Sequence, residues 1–155
     1  MDRGPRSVGI FWDYENCSLP STGQVTYAMV HRIREMALQH GIVKTFRAYL
    51  HLPDQPSSKS LAIRSELQSC GVSLIDCPYV GRKDVADKMM IGKFDMMAHA
   101  IDNSAPSTIV LISGDRDFVY AISILCLRQH RVILIAPRLL HDGLKAQADI
   151  LYEWP

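Results

Sequence analysis

The chain has 155 residues, a length that fits one domain and can bury a core without disulfide or metal staples. Hydrophobic residues make up 48% and charged residues 21%, ordinary proportions for a folded globular protein and far from those of a disordered chain. The formal net charge is +1, so no global field advertises a polyanion partner, and nucleic-acid contacts would have to come from local clusters of Lys and Arg.

In chain order, the N-terminus MDRGPRSVGIFW lacks the apolar stretch of a secretory signal. Within it SVGIFW (7–12) reads as a first strand, and it runs straight into the polar turn Asp13-Tyr14-Glu15-Asn16. Residues 23–40 place Val25, Met29, Val30, Ile33 and Met36 at helical spacings of three and four. The run 42–50 is the second strand, HLPDQPSSKS (51–60) a Pro- and Ser-rich loop, and 58–69 a second helix. A third strand at 71–77 leads into GRKDVADK and a Met-rich third helix over 85–101. A fourth strand at 107–113 ends in Ser113-Gly114-Asp115 and is followed by a helix over 116–128. The fifth strand at 131–136, a weaker helix at 139–147 and a last short strand at 149–154 complete the chain.

No repeat, low-complexity tract or internal boundary interrupts this order, which predicts one domain over 1–155. Cys17, Cys70, Cys77 and Cys126 form no CxxC pair and have no His at zinc-like spacing, so reduced thiols in a reducing compartment are expected. No apolar run approaches the ~20 residues of a membrane span. Cytoplasm or nucleus is the expected location.

Five strand–helix alternations predict an α/β fold of three layers: a mainly parallel sheet of five to six strands with helices on both faces. Ligands of such sheets bind beyond the carboxyl ends of the strands, where the strand order reverses. Three strand ends deliver acids there: Asp13 after the first strand, Asp84 and Asp87 at the start of the third helix, and Asp115 and Asp117 after the fourth strand. In the order 3-2-1-4-5, Asp13 and Asp115 lie side by side, with Asp87 on a third side and Asp95 one or two turns deeper along its helix.

Each acid alone is also readable as a helix cap or turn residue. Their convergence points instead to a hard divalent cation, because clustered carboxylates repel unless a positive charge sits among them. Mg²⁺ or Mn²⁺ takes such oxygen ligands, and beside a phosphodiester it activates water and stabilises the leaving oxygen. The chain has no GxSxG, GxxxxGK[ST] or GxGxxG to suggest another chemistry.

The segments VGIFWDYENCSLP, GRKDVADKMMI, AIDNSAPSTIVLISGDRDFVYAISIL and RVILIAP resemble the NYN domain, a PIN-like nuclease fold, and its limkain-type members above all. The resemblance covers about residues 7–153. It implies a Mg²⁺- or Mn²⁺-dependent endoribonuclease that hydrolyses single-stranded RNA on a Rossmann-like sheet of order 3-2-1-4-5. By position it implies Asp13, Asp87 and Asp115 as catalytic metal ligands, with Asp117 beside them and Asn16 and Ser113 in support. The family also carries an Asp about two turns into the third helix. MMIGKFD sets Asp95 two residues later than that pattern, so Asp95, with Asp84, enters as a supporting residue.

Arg82, Lys83, Lys88 and Arg116 flank these acids and are the expected RNA phosphate contacts. Tyr14 and Trp12 are candidates for base stacking, although the strand-end position of Trp12 favours the core. A homodimer, or appended RNA-binding domains in a longer protein, would supply further contacts; no membrane partner is expected. Two alternatives stay open. An NYN module without efficient chemistry would bind RNA or a protein partner. A haloacid-dehalogenase-type phosphatase also places Asp after strand one, but needs Asp-x-Asp where this chain reads Asp13-Tyr14-Glu15.

Overall fold

The computed structural model describes residues 5–77, 93 and 95–155. Strands β1 (Ser7–Asp13), β2 (Ile42–Leu50) and β3 (Ser73–Asp76) alternate with helices α1 (Gln24–Leu38) and α2 (Ser58–Ser69). Helix α3 is described over residues 95–102. The chain then runs through β4 (Thr108–Ile112), a 3₁₀ turn (Arg116–Phe118), α4 (Val119–Leu127), β5 (Arg131–Ala136), α5 (Asp142–Gln147) and β6 (Ile150–Glu153). The six strands form one sheet in the order β3-β2-β1-β4-β5-β6. Every neighbouring pair is parallel. The expected order is therefore found, with β6 added at one edge.

Local chemistry explains where the elements depart from expectation. The third strand is shorter because Gly71 and Val72 belong to the end of α2. Gly71, at φ +88°, takes the left-handed turn, and its amide and that of Val72 return to the carbonyls of Gln68 and Leu67. The inward stripe of α1 is Thr26, Val30, Ile33 and Ala37. Val25, placed on that face by its spacing, is 39% exposed, one position off the stripe. The segment 116–128 begins as a 3₁₀ turn because the Asp115 carboxylate accepts from the Asp117 amide and tightens it.

Alternating side chains divide the core. Val8, Ile10 and Trp12 of β1 face α1 and α2, packing with Val30, Ile33, Ile63 and Leu67. Phe11 points the other way, with Tyr49, Met96 and Ala100 of the α3 side and Ile122 and Leu125 of α4. The period of two therefore sends Asp13, two residues after Phe11, to the α3–α4 face. Cys17 and Cys77 are buried, and Cys70 and Cys126 half-buried.

Two buried histidines sit on the α3–β4–β5 side. The Ser107 amide and hydroxyl approach His130 Nδ1 at 3.3 and 2.6 Å. His99 contacts the ring of Phe11 edge-on at 6.0 Å. Burial, reinforced by Arg128, lowers the pKa of His130. Burial also lowers that of His99, reinforced by His130 and Lys44 and opposed by Asp102. A histidine held neutral in the folded state takes up its proton more readily when unfolded. This contribution to stability is present above the ordinary histidine value near 6.5 and is lost as pH falls below it. The melting temperature is expected to drop between pH 7.5 and 5.5, and His130→Gln, which keeps an acceptor, to flatten that drop. Equal slopes for wild type and variant would contradict it.

Candidate active site

β1 and β4 are neighbours, with Trp12 beside Ile112, so the residues that follow them emerge together at the carboxyl edge of the sheet. There the Ser113 hydroxyl donates to Asp13 Oδ2 at 2.8 Å and accepts from the Asp115 amide at 3.1 Å. One side chain thus ties the first acid to the turn that carries the second. Asn16 completes the junction, its Oδ1 accepting from the Gly114 amide at 2.8 Å. Position 114 tolerates no side chain: a Cβ there would meet Pro137 Cδ at 2.9 Å and Asn16 Oδ1 at 3.2 Å. The Ser-Gly-Asp sequence therefore has a residue-by-residue explanation as a link, a close approach and an acid.

Asp13 is only 7% exposed. Burying a carboxylate is costly unless donors or a cation meet it, and the Ser113 hydroxyl is one such donor. Asp115 is half-buried and caps the 3₁₀ turn, its Oδ1 accepting from the Asp117 amide at 3.0 Å. The capping reading of Asp115 thus holds, and it occupies one carboxylate oxygen. Asp117 and Arg116 are exposed, and Asp117 reaches the Asp115 side chain through its backbone amide.

Asp95 is engaged on β2. Its Oδ2 accepts from the Tyr49 hydroxyl at 2.5 Å and its Oδ1 lies 3.2 Å from Arg47 Nη1. Tyr49 is the register partner of Asp13. Burial, then the Asp95 carboxylate, raises the Tyr49 pKa far above its ordinary value, so the phenol stays a donor. Arg47 and Tyr49 escaped the sequence reading. Their only signal was the alternation FRAY in β2, which marks a face but names no partner.

Other carboxylates at this edge hold backbone. Glu15 Oε1 accepts from the His51 amide at 3.1 Å, and Asp76 Oδ1 from that of Leu52 at 2.9 Å. Glu15 is therefore occupied where a phosphatase would need a free acid. Trp12 is fully buried, its indole donating to the Cys17 carbonyl, and the Tyr14 hydroxyl accepts from the Leu19 amide. Both aromatic rings belong to the interior, so neither is presented for base stacking. Asp84, Asp87, Arg82, Lys83 and Lys88 lie outside the described residues.

Among the described residues no group of three or more His, Cys, Asp or Glu side chains gathers in metal-binding geometry. Asp13 and Asp115 are two acids joined through Ser113. Their donor atoms are all oxygen, which suits Mg²⁺ or Mn²⁺ rather than zinc, whose sites use Cys and His.

A family model described as the NYN domain matches residues 7–153. The chain belongs to the NYN-domain family. The NYN domain belongs to a nuclease superfamily with a PIN-like fold. Among its relatives, meiosis regulator and mRNA stability factor 1 of Gallus gallus is 31% identical over 129 residues, 83% of this chain and 7% of that protein. The Bos taurus protein of the same name is 30% identical over 116 residues, 75% of this chain and 6% of that protein. The chain thus spans only a small part of the relatives it matches. A solved structure, a protein of unknown function (VPA0982) from Vibrio parahaemolyticus, superposes with a TM-score of 0.77 at 21% identity, covering 100% of this chain and 96% of that one. That likeness concerns the fold of the NYN domain alone.

Proposed function

We propose that this NYN domain is a metal-dependent endoribonuclease acting on single-stranded RNA at the carboxyl edge of β1 and β4. The observation that carries the reading is the Ser113 hydroxyl joining Asp13 to the Asp115 turn where the strand order reverses. The all-oxygen donor set, the family and the relatives named as mRNA stability factors support it.

In this reading Asp13 and Asp115, with Asp87, hold Mg²⁺ or Mn²⁺. When bound, the ion lowers the pKa of water and neutralises charge on the phosphodiester. Ser113 keeps its proton on the Asp13 side, fixing how that carboxylate is turned, and Asn16 holds the Gly114 turn against the β1 loop. The cap at Asp117 orients the Asp115 carboxylate in the same way. Arg116, Arg82, Lys83 and Lys88 grip phosphates on either side of the scissile bond.

The test is incubation of 5′-labelled single-stranded RNA with the purified domain in Mn²⁺ or Mg²⁺. Internal cuts, stopped by EDTA and restored by excess Mn²⁺, are expected. RNA that is bound and never cut, with either ion, would replace the nuclease by a binding module. Turnover of a phosphomonoester and not of RNA would point to a phosphatase.

A further inference from the structure

Helix α4 lacks the charged outer face of an ordinary surface helix. Its sequence VYAISILCL holds no charged residue, and the Ser123 hydroxyl donates back to the Val119 carbonyl at 2.9 Å. Ala121, Ile122 and Leu125 are buried in the core that α4 shares with the sheet. One flank leans on α5, where the Cys126 thiol donates to the Gln147 carbonyl at 3.4 Å. On the outer face Tyr120 and Leu127 are 75% and 78% exposed, with Ile124 half-buried between them. A helix that is apolar all round is ordinarily covered on every side. Spaced four and then three residues apart, these side chains form one ridge, with the spacing by which helices pair.

The two ends of the ridge differ in charge. Asp117 lies just before Tyr120 and Arg128 just after Leu127, and both are exposed. Among the described residues neither forms an ion pair within its own chain. At about 100° per residue, Asp117 and Arg128 fall on the same side of the ridge and Arg116 on the other. A twofold axis that sets two α4 helices antiparallel brings Ile124 to Ile124 and Tyr120 to Leu127 of the second copy. It also brings Asp117 to Arg128 at both ends. A parallel pair would set like charges together instead.

We infer that the outer face of α4 is a self-association surface, and that its occupant is the α4 helix of a second copy of this chain, packed antiparallel. The apolar ridge supplies the contact and the two Asp117–Arg128 pairs fix its direction. A nine-residue helix spans about 14 Å, a footprint well below the roughly 800 Å² per partner of a standard interface. The pairing is therefore reversible and filled only at high protein concentration. It stands independently of the metal-dependent reading.

Sedimentation velocity of the RNA-free protein from about 10 µM to about 1 mM, the range in which small interfaces dissociate, tests it. The average sedimentation coefficient of wild type is expected to rise with concentration toward that of a dimer. Leu127→Glu and Tyr120→Lys replace exposed side chains, so both should melt as wild type does and stay monomeric throughout. Asp117→Arg and Arg128→Glu should each weaken association about 5-fold, and the double variant should recover it. A wild type that stays monomeric at the highest concentration would overturn the inference. Association that persists in Leu127→Glu and Tyr120→Lys would place the contact elsewhere and overturn it too. If the apolar variants dissociate and neither charge swap has any effect, the antiparallel pairing is wrong.

Discussion

Asp13→Asn is expected to lower cleavage of single-stranded RNA by about 10³-fold while leaving the fold intact. The size follows from the several kcal/mol that a carboxylate-held ion contributes at a phosphodiester, at about 1.4 kcal/mol per tenfold in rate. The fold should survive because an amide oxygen still accepts from the Ser113 hydroxyl, the link to the β4 turn. Asp13 is nearly buried, and a neutral amide is cheaper to bury than a carboxylate. The melting temperature should therefore stay equal or rise slightly. Single-turnover cleavage with excess protein, beside a thermal melt, measures both. A loss of activity below tenfold would remove Asp13 from the catalytic set. A large fall in melting temperature would make its role structural.

The second expectation separates the two tasks of Asp115. Its Oδ1 caps the 3₁₀ turn through the Asp117 amide, and its own amide donates to the Ser113 hydroxyl that also meets Asp13. Asn caps as well as Asp does, whereas Ala loses about 1 kcal/mol. Asp115→Asn should keep the wild-type melting temperature, and Asp115→Ala should lose about 2–4 °C, the shift expected for a domain of this size. Both should lose about 10²- to 10³-fold in cleavage if the carboxylate serves an ion. If Asp115 is a cap and nothing more, Asp115→Asn will cut RNA normally. The Asn variant therefore decides, and the Ala variant calibrates the cap.

Much of the architecture was legible in local patterns. IVLIS and VILIA are apolar without alternation because β4 and β5 are covered on both faces, a requirement that leaves its mark residue by residue. The 58–69 helix was placed correctly, but the Ser57 cap at its start and the left-handed Gly71 after it, which the sequence reading gave to the third strand, emerge only in the structure. The α1 stripe was read one residue off at Val25, since spacing fixes a helical period better than its phase.

The candidate site was legible in a different measure. Asp13 and Asp115 could be paired from the strand order, and the structure adds the hydroxyl that joins them. Asp95 entered only as a supporting residue because of its spacing, and Glu15 and Asp76 were not among the candidate ligands. Contacts separate them: Glu15 and Asp76 hold backbone amides of the loop after β2, and Asp95 meets Tyr49 and Arg47. Trp12 at a strand end reads as a core residue and is one, whereas Tyr14 looked available for stacking until its burial was known.

By itself, the sequence determined the alternation of elements, the strand ends and the kinds of residue placed there, because periodicity, capping and turn chemistry act over a few neighbouring residues. Only the tertiary structure decided which acids share an edge and which partner holds each one. Those contacts join residues as far apart as Asp13 and Ser113, or Tyr49 and Asp95. They depend on register and on the face each strand turns to its helices, which no local stretch encodes.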